Sequence, residues 1–271
     1  LVLGLRDYCS KNGFKSVVLG LSGGIDSAVC ASIATDALGA SNVYGISMPS
    51  VFSSDHSKSD AADLAERLGC NYFTVPIEPM VNAFEDELQF SGLASENLQA
   101  RVRGVVLMGL SNQHGHLTLT TGNKTELAVG YSTIYGDSVG GFAPLKDVEK
   151  TMVWRLARWR NDYAKSVGQV PPIPQNSITK PPSAELRPGQ VDQDTLPPYE
   201  TLDAILERYV GMHMSPADIA AEGFEPSMVS KIVALVDRAE WKRRQGAIGP
   251  KITGMAFGRD RRLPITNRFK E

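Results

Sequence analysis

Ser22, Asp26 and Ser27 stand among three glycines in the run Gly20-Leu21-Ser22-Gly23-Gly24-Ile25-Asp26-Ser27. Residues of these types at this spacing suit the handling of phosphate. Gly23 and Gly24 lack a β-carbon, so the turn can take positive φ and bring main-chain N–H groups close to an anion. A helix beginning after the turn adds free N–H groups and the positive end of its dipole. The loop differs from a Walker A sequence in holding an aspartate and no lysine. Phosphates bound here would be neutralised by amides, by a lysine from elsewhere, and by a metal that Asp26 helps to hold. A glycine turn that only packs helix on strand is the bland alternative. Strand, serines, aspartate and helix in register weigh against it.

A second segment, Thr120-Thr121-Gly122-Asn123-Lys124-Thr125-Glu126, follows another apolar run. Thr121 and Gly122 would make the turn, with Glu126 in the first turn of a helix. Mg²⁺ takes one or two carboxylates together with phosphate oxygens and water, so Asp26 and Glu126 form a candidate pair. Spacing alone equally allows Glu126 simply to complement a helix N-terminus.

To converge, these segments need a scaffold, and the first half of the chain supplies one. Strand-like runs at 16–19, 43–47, 71–75 and 117–120 alternate with helical patterns at 28–38, 57–68, 78–89 and 96–112, the last carrying Arg101 and Arg103. This alternation predicts an α/β fold, a doubly wound parallel sheet with helices on both faces. Ligands then belong at the carboxyl ends of the strands, where the first loop, residues 48–56 and residues 121–126 all fall. Residues 168–200 hold many of the sixteen prolines and predict an extended loop without regular helix, in the role of lid, binding loop or connector. Helices resume at 201–210, 215–222 and 226–245, giving a C-terminal helical region and tail over 201–271.

Composition narrows the class further. The 271 residues carry a net charge of −2, so nothing global points to nucleic acid or membrane. Cys9, Cys30 and Cys70 lack redox or metal spacing and suit a reduced, cytoplasmic protein, with Cys30 and Cys70 expected in packing. No run has membrane-spanning length, and no signal peptide is visible. His56, His114, His116 and His213 have no metal-site spacing and read as structural. A chain that begins at Leu1 is expected to be a fragment or incomplete at its start.

The run from Ser22 to Ser27 resembles the SGGxDS loop of the ATP pyrophosphatase (PP-loop) family, whose members cut ATP between its α and β phosphates and adenylate an acceptor oxygen. Further motifs follow in the order found in NAD synthetases: Asn97-Leu98-Gln99-Ala100-Arg101, Thr121 to Ala128, Tyr135-Gly136-Asp137, and Pro182-Ser183-Ala184-Glu185-Leu186. The resemblance extends to Phe269 and is strongest to the synthetase domain of the glutamine-dependent enzymes, through residues 132–146 and the tail at 257–269. It implies an adenine nucleotide alpha hydrolase-like fold, with residues 1–271 forming one synthetase domain. The implied reaction is amidation of deamido-NAD to NAD by ammonia, through an acyl-adenylate, with ATP as co-substrate, Mg²⁺ as cofactor, and AMP and pyrophosphate released. It further implies a homo-oligomer, at least a dimer, and ammonia delivered by an N-terminal glutamine amidase domain.

Residue by residue, the resemblance places Gly20, Ser22, Gly23, Gly24, Asp26 and Ser27 around the ATP phosphates and Asp26 and Glu126 on Mg²⁺. Thr121 would contact ATP, and Lys150 would supply the cation the loop lacks. Asp26, Glu126 and Lys150 are thus the implied catalytic set. Ser183 keeps the hydroxyl of the family's usual threonine at the ATP site. Arg101, Glu126, Asp137 and Lys242 fall at the dinucleotide. Ile134 and Gly141 depart from the lysine and aspartate of the ammonia-dependent, single-domain enzymes.

Read without the resemblance, Lys150, Arg101 and Lys242 are ordinary helix-surface charges. The arginines Arg259, Arg261, Arg262 and Arg268 suit a phosphate or a partner surface equally. Rival functions are another PP-loop enzyme, such as a GMP-synthetase-like ligase or a tRNA-modifying one, and a non-catalytic nucleotide-binding domain.

Overall fold

The computed structural model describes residues 1–266. β1 (Val17–Gly20) is a short apolar strand, as a centrally placed parallel strand must be. Val17 and Leu19 face one layer of helices, and Val18 faces the other. β2 (Val43–Ser47) and β3 (Asn71–Thr74) extend the sheet on one side, and β4 (Leu117–Thr118) lies on the other. The order is β3-β2-β1-β4, with every pairing parallel. The chain therefore steps outward from β1 and returns to its far side. That reversal opens a crevice between the carboxyl ends of β1 and β4, the place where open α/β sheets take ligands.

Helices α1 (Val2–Asn12), α2 (Ile25–Leu38) and α3 (Asp55–Leu68) cover the Val17 and Leu19 face. The small residues Ala28, Ala31 and Ala34 let α2 be buried along most of its length. On the opposite face α4 (Glu78–Leu88) and α5 (Leu93–His114) pack Val81, Leu98, Val102 and Leu107 over Val18 and Ile46. The doubly wound arrangement expected from the alternation is present.

Beyond β4 come α6 (Lys124–Val129), α7 (Lys150–Ser166), α8 (Gln175–Thr179), α9 (Tyr199–Leu206), α10 (Pro216–Ala221), α11 (Pro226–Arg238) and α12 (Glu240–Arg243). Val229, Ile232, Val233 and Val236 recur at helical spacing on α11 and bury one stripe against α9 and α6. Trp154 of α7 packs against both this core and the core under the sheet.

Several expectations change. Helix α1 carried no clear sequence signal. The fourth strand ends at Thr118; just beyond it the Leu119 N–H still donates to the Val18 carbonyl of β1 at 2.9 Å, and Leu119 also forms an isolated bridge with Phe142. The proline-rich segment contains α8, contrary to a helix-free loop, because Pro174 sits at the helix start, where a missing N–H is harmless. Helix α9 ends in a wider π-type turn at Glu207–Gly211, and the 226–245 helix breaks after Arg238. Cys9 and Cys30 are buried, Cys70 is only partly so, and all three are free thiols. Among the described residues no helix is long and apolar enough to cross a membrane.

Candidate active site

Gly20 ends β1, and α2 begins at Ile25, so the intervening loop lies at the crevice mouth. Gly23 has φ +75°, and a β-carbon there would sit 2.3 Å from the Ser57 carbonyl oxygen. Only glycine fits that position. Gly24 is extended at φ −79°, so the positive φ expected of both glycines occurs at one. The two serines hold the loop in shape. Ser27 Oγ donates to the Gly24 carbonyl at 2.9 Å, and the Gly24 N–H donates to Ser22 Oγ at 3.2 Å. Gly20, Ser22, Gly24, Asp26, Ser27 and Thr121 line a cavity of about 320 Å³.

Across the crevice, Asn123 caps α6. Its side chain accepts from the Glu126 N–H at 3.0 Å, while Glu126 Oε2 accepts from the Asn123 N–H at 3.3 Å. This reciprocal cap fixes the Glu126 side chain. Asn123 Nδ2 also donates to Asp26 Oδ1 at 2.8 Å, joining the two loops. Lys150, the first residue of α7, is 2% exposed. Its Nζ donates to Asp26 Oδ2 at 2.5 Å and to Glu126 Oε1 at 3.2 Å. The Tyr199 and Trp154 rings lie 5.2 and 5.7 Å from the same nitrogen, within range of cation–π attraction.

Burial works against charge on Lys150, but Asp26 and Glu126 outweigh it and hold the ammonium above the usual lysine range. Burial pushes the Glu126 carboxyl up, with Lys150 opposing. The surface reading of Lys150 is thereby overturned, since its charge is neutralised by two acids from two other elements.

The donors fit Mg²⁺ in kind. Asp26 and Glu126 present carboxylate oxygens, and both side chains stay 18% exposed, toward the cavity. Among the described residues no third His, Cys, Asp or Glu joins them in a metal-sized group. Phosphate oxygens and water would therefore complete a shell.

The far end of the cavity is built differently. Asp137 Oδ1 accepts from the Thr133 N–H at 2.6 Å, and the surrounding walls push its carboxyl up to about 6 although it stays open to the cavity. Lys242 Nζ donates to the carbonyls of Gly130 and Ser132, each at 2.8 Å, and does not line the cavity. Arg101 is exposed, donates to the Ile134 carbonyl at 3.2 Å and also stays outside. Arg103 lines the cavity instead; burial pushes its guanidinium down to about 10. At Gly141 a β-carbon would lie 2.8 Å from Leu117 Cδ1, so an aspartate does not fit there without a shift.

The proline-rich segment closes one side of the cavity. Ser183, on the cavity wall, donates through Oγ to the Gln190 carbonyl at 2.5 Å. Ser177 Oγ donates to the Gly23 carbonyl at 2.9 Å, and Lys180 pairs with Asp60 at 3.2 Å. Glu185 accepts from the hydroxyls of Ser54 and Ser57 at 2.8 and 2.7 Å. Sequence reasoning passed over Asn123, Arg103, Lys180 and Glu185 as site residues. The Asn-x-x-Glu capping pattern was a signal for the first. In the tail, Arg261 lies over the Tyr209 ring at 4.5 Å and Arg262 donates to the Gly258 carbonyl at 2.6 Å. Arg268 and Phe269 lie outside the described residues.

A family model for NAD synthase matches residues 1–246. The glutamine-dependent NAD(+) synthetase of Acinetobacter baylyi is 53% identical over 276 residues, covering 100% of this chain and 50% of that protein. A structure of the glutamine-dependent NAD+ synthetase from Acinetobacter baumannii, in complex with ADP, aligns at 49% identity with a TM-score of 0.64, over 98% of this chain and 48% of that one. NMN synthetase from Francisella tularensis aligns at 29% identity with a TM-score of 0.75, over 89% and 92%. The chain spans about half the length of the curated relatives it matches.

Proposed function

We propose, because this chain belongs to the NAD synthase family, that it amidates deamido-NAD to NAD at the expense of ATP. The observation that carries this reading is Lys150, buried at the crevice and paired with Asp26 and Glu126. A nicotinate carboxylate oxygen attacks the ATP α-phosphorus, the bond to the bridging oxygen breaks, and pyrophosphate leaves. The ammonia lone pair then attacks the acyl carbon of the adenylate. AMP departs with the former carboxylate oxygen, and one proton is released. No covalent enzyme nucleophile is needed, so positioning and charge stabilisation suffice.

In this scheme the Ser22 to Ser27 amides and hydroxyls cradle the phosphates, and Thr121 and Ser183 flank the nucleotide. Lys150 offsets charge on the departing pyrophosphate from a water-poor position where such interactions are strong. Asp26 and Glu126 would hold Mg²⁺, which when bound supplies further positive charge at the phosphates. Asp137, Arg101 and Lys242 serve the dinucleotide end, the last by holding the 130–132 turn. Residues 1–271 act as one synthetase unit, with 168–200 over the phosphates and the described C-terminal residues, 201–266, as its buttress. Ammonia comes from an amidase region like the one expected in the longer relatives. Exposed Phe84, Leu88, Leu93, Val105 and Met108 on α4 and α5 support at least a dimer, and the free thiols suit the cytoplasm.

The likeness to NMN synthetase favours one second reading, in which the acceptor is the corresponding mononucleotide. A non-catalytic nucleotide sensor has no use for a lysine buried between two carboxylates. Incubation with ATP, ammonium and either dinucleotide or mononucleotide acid, with and without glutamine, tests all three. Equal amounts of NAD, AMP and pyrophosphate are expected with deamido-NAD. ADP and phosphate as main products would overturn the reading, and amidation of the mononucleotide alone would move it to the second.

A further inference from the structure

The helix that carries Lys150 is not capped by its own N-cap residue. Glu149 occupies that position and makes no side-chain capping bond. The first N–H groups of a helix have no partner within it, so something else must satisfy them. Here the partners come from two other helices. The Lys150 N–H donates to Thr125 Oγ1 of α6 at 2.9 Å, and the Thr151 N–H donates to Asp203 Oδ2 of α9 at 2.8 Å. Thr125 Oγ1 in turn donates to Asp203 Oδ1 at 2.5 Å, which closes a ring of three hydrogen bonds. Thr125 is fully buried and Asp203 nearly so.

We propose that Asp203, acting with Thr125, is a positioning residue for adenylation: it caps α7 in trans and so sets where Lys150 begins and where its ammonium ends. The proposal rests on the phosphate role given above to Lys150. Thr125 immediately precedes Glu126, so the ring ties the main chain at Glu126 to the main chain at Lys150, the two residues that must meet. A carboxylate at this spot also complements the positive end of the α7 dipole. One further side chain from the same part of the chain meets Lys150. The Tyr199 ring lies 5.2 Å from its nitrogen, and the Tyr199 hydroxyl donates to Asp192 at 2.7 Å. The C-terminal helices thereby act on the chemistry without touching substrate. Nothing in the 201–210 pattern marks Asp203 as more than a helix-surface acid.

The test compares Asp203→Asn and Thr125→Val with the parent, alone and combined with Lys150→Met. Asparagine keeps the shape of Asp203 but lacks one acceptor oxygen, and valine keeps the shape of Thr125 without its hydroxyl. Each single variant should slow single-turnover adenylation by about tenfold to a hundredfold, because small misplacements of a charge-stabilising group cost that much. Deamido-NAD affinity should change by less than about twofold, and amide hydrogen exchange across residues 149–153 should rise. In the Lys150→Met background the same changes should cost less than about threefold, since groups that act through one another are not additive. A full adenylation rate per folded molecule, or a loss that multiplies undiminished in the Lys150→Met background, would overturn the proposal. If Asp203→Asn does not fold, Thr125→Val carries the same expectations. The parent protein separates the two readings. Failure of the parent to release AMP and pyrophosphate counts against the reaction, whereas the exchange result reports on the cap alone.

Discussion

The two ends of the cavity are organised on opposite plans. At the end proposed for the phosphates, Asp26, Asn123, Glu126 and Lys150 come from three elements and satisfy one another's polar groups. At the end proposed for the dinucleotide, Lys242 is committed to main-chain carbonyls, Arg101 donates to the Ile134 carbonyl outside the cavity lining, and Asp137 lines the cavity. Charge that must meet a transition state is fixed in advance in a buried site, where reorganisation would be costly. On the proposed reading, charge that selects a substrate is left nearer the surface.

This contrast predicts unequal effects of substitution. The largest belong to Lys150, Asp26 and Glu126. Lys150→Met should lower the adenylation rate by a factor of roughly a hundred or more, about 3 kcal/mol at the transition state. Deamido-NAD binding should be nearly intact, as titration calorimetry will read. Asp26→Asn and Glu126→Gln should lose comparable rate and shift the Mg²⁺ dependence of turnover to higher concentration. Normal turnover at low Mg²⁺ in either variant removes that residue from the metal.

Gly23→Ala should come next. Left-handed backbone costs a β-carbon residue about 1–2 kcal/mol. The Ser57 carbonyl at 2.3 Å forces a further shift of the loop. Thermal unfolding should show a lower midpoint, and ATP affinity should fall even in folded protein. Unchanged ATP affinity would mean the loop does not cradle phosphate.

The smallest effects belong to the far end. Arg101→Ala and Lys242→Met should raise KM for the dinucleotide by up to about tenfold, with the adenylation rate of bound substrate unchanged. A large fall in single-turnover rate in either variant would erase the difference between the two ends.

Legibility in the sequence follows the same division. The Gly20 to Ser27 loop and the Thr120 to Glu126 turn were readable because strand, turn and helix start lie within a few residues of each other. The sheet was readable because apolar strand-like runs alternate with helical patterns through the first half. Burial of Lys150 was not, since it depends on Asp26 and Glu126, 124 and 24 residues away. The trans cap from Asp203 joins residues 78 apart and leaves no local trace. The proline-rich segment misled in the other direction. Prolines before α8 permit a helix start, and Ile173 beneath it is buried in the main core.

Oxygen tracing bears most closely on the proposed chemistry. Deamido-NAD labelled with ¹⁸O in its nicotinate carboxylate, incubated with ATP, Mg²⁺ and ammonium, should yield AMP carrying one labelled oxygen and NAD retaining the other. Unlabelled AMP, or label recovered in inorganic phosphate, would contradict an acyl-adenylate formed between the Ser22 to Ser27 loop and Lys150.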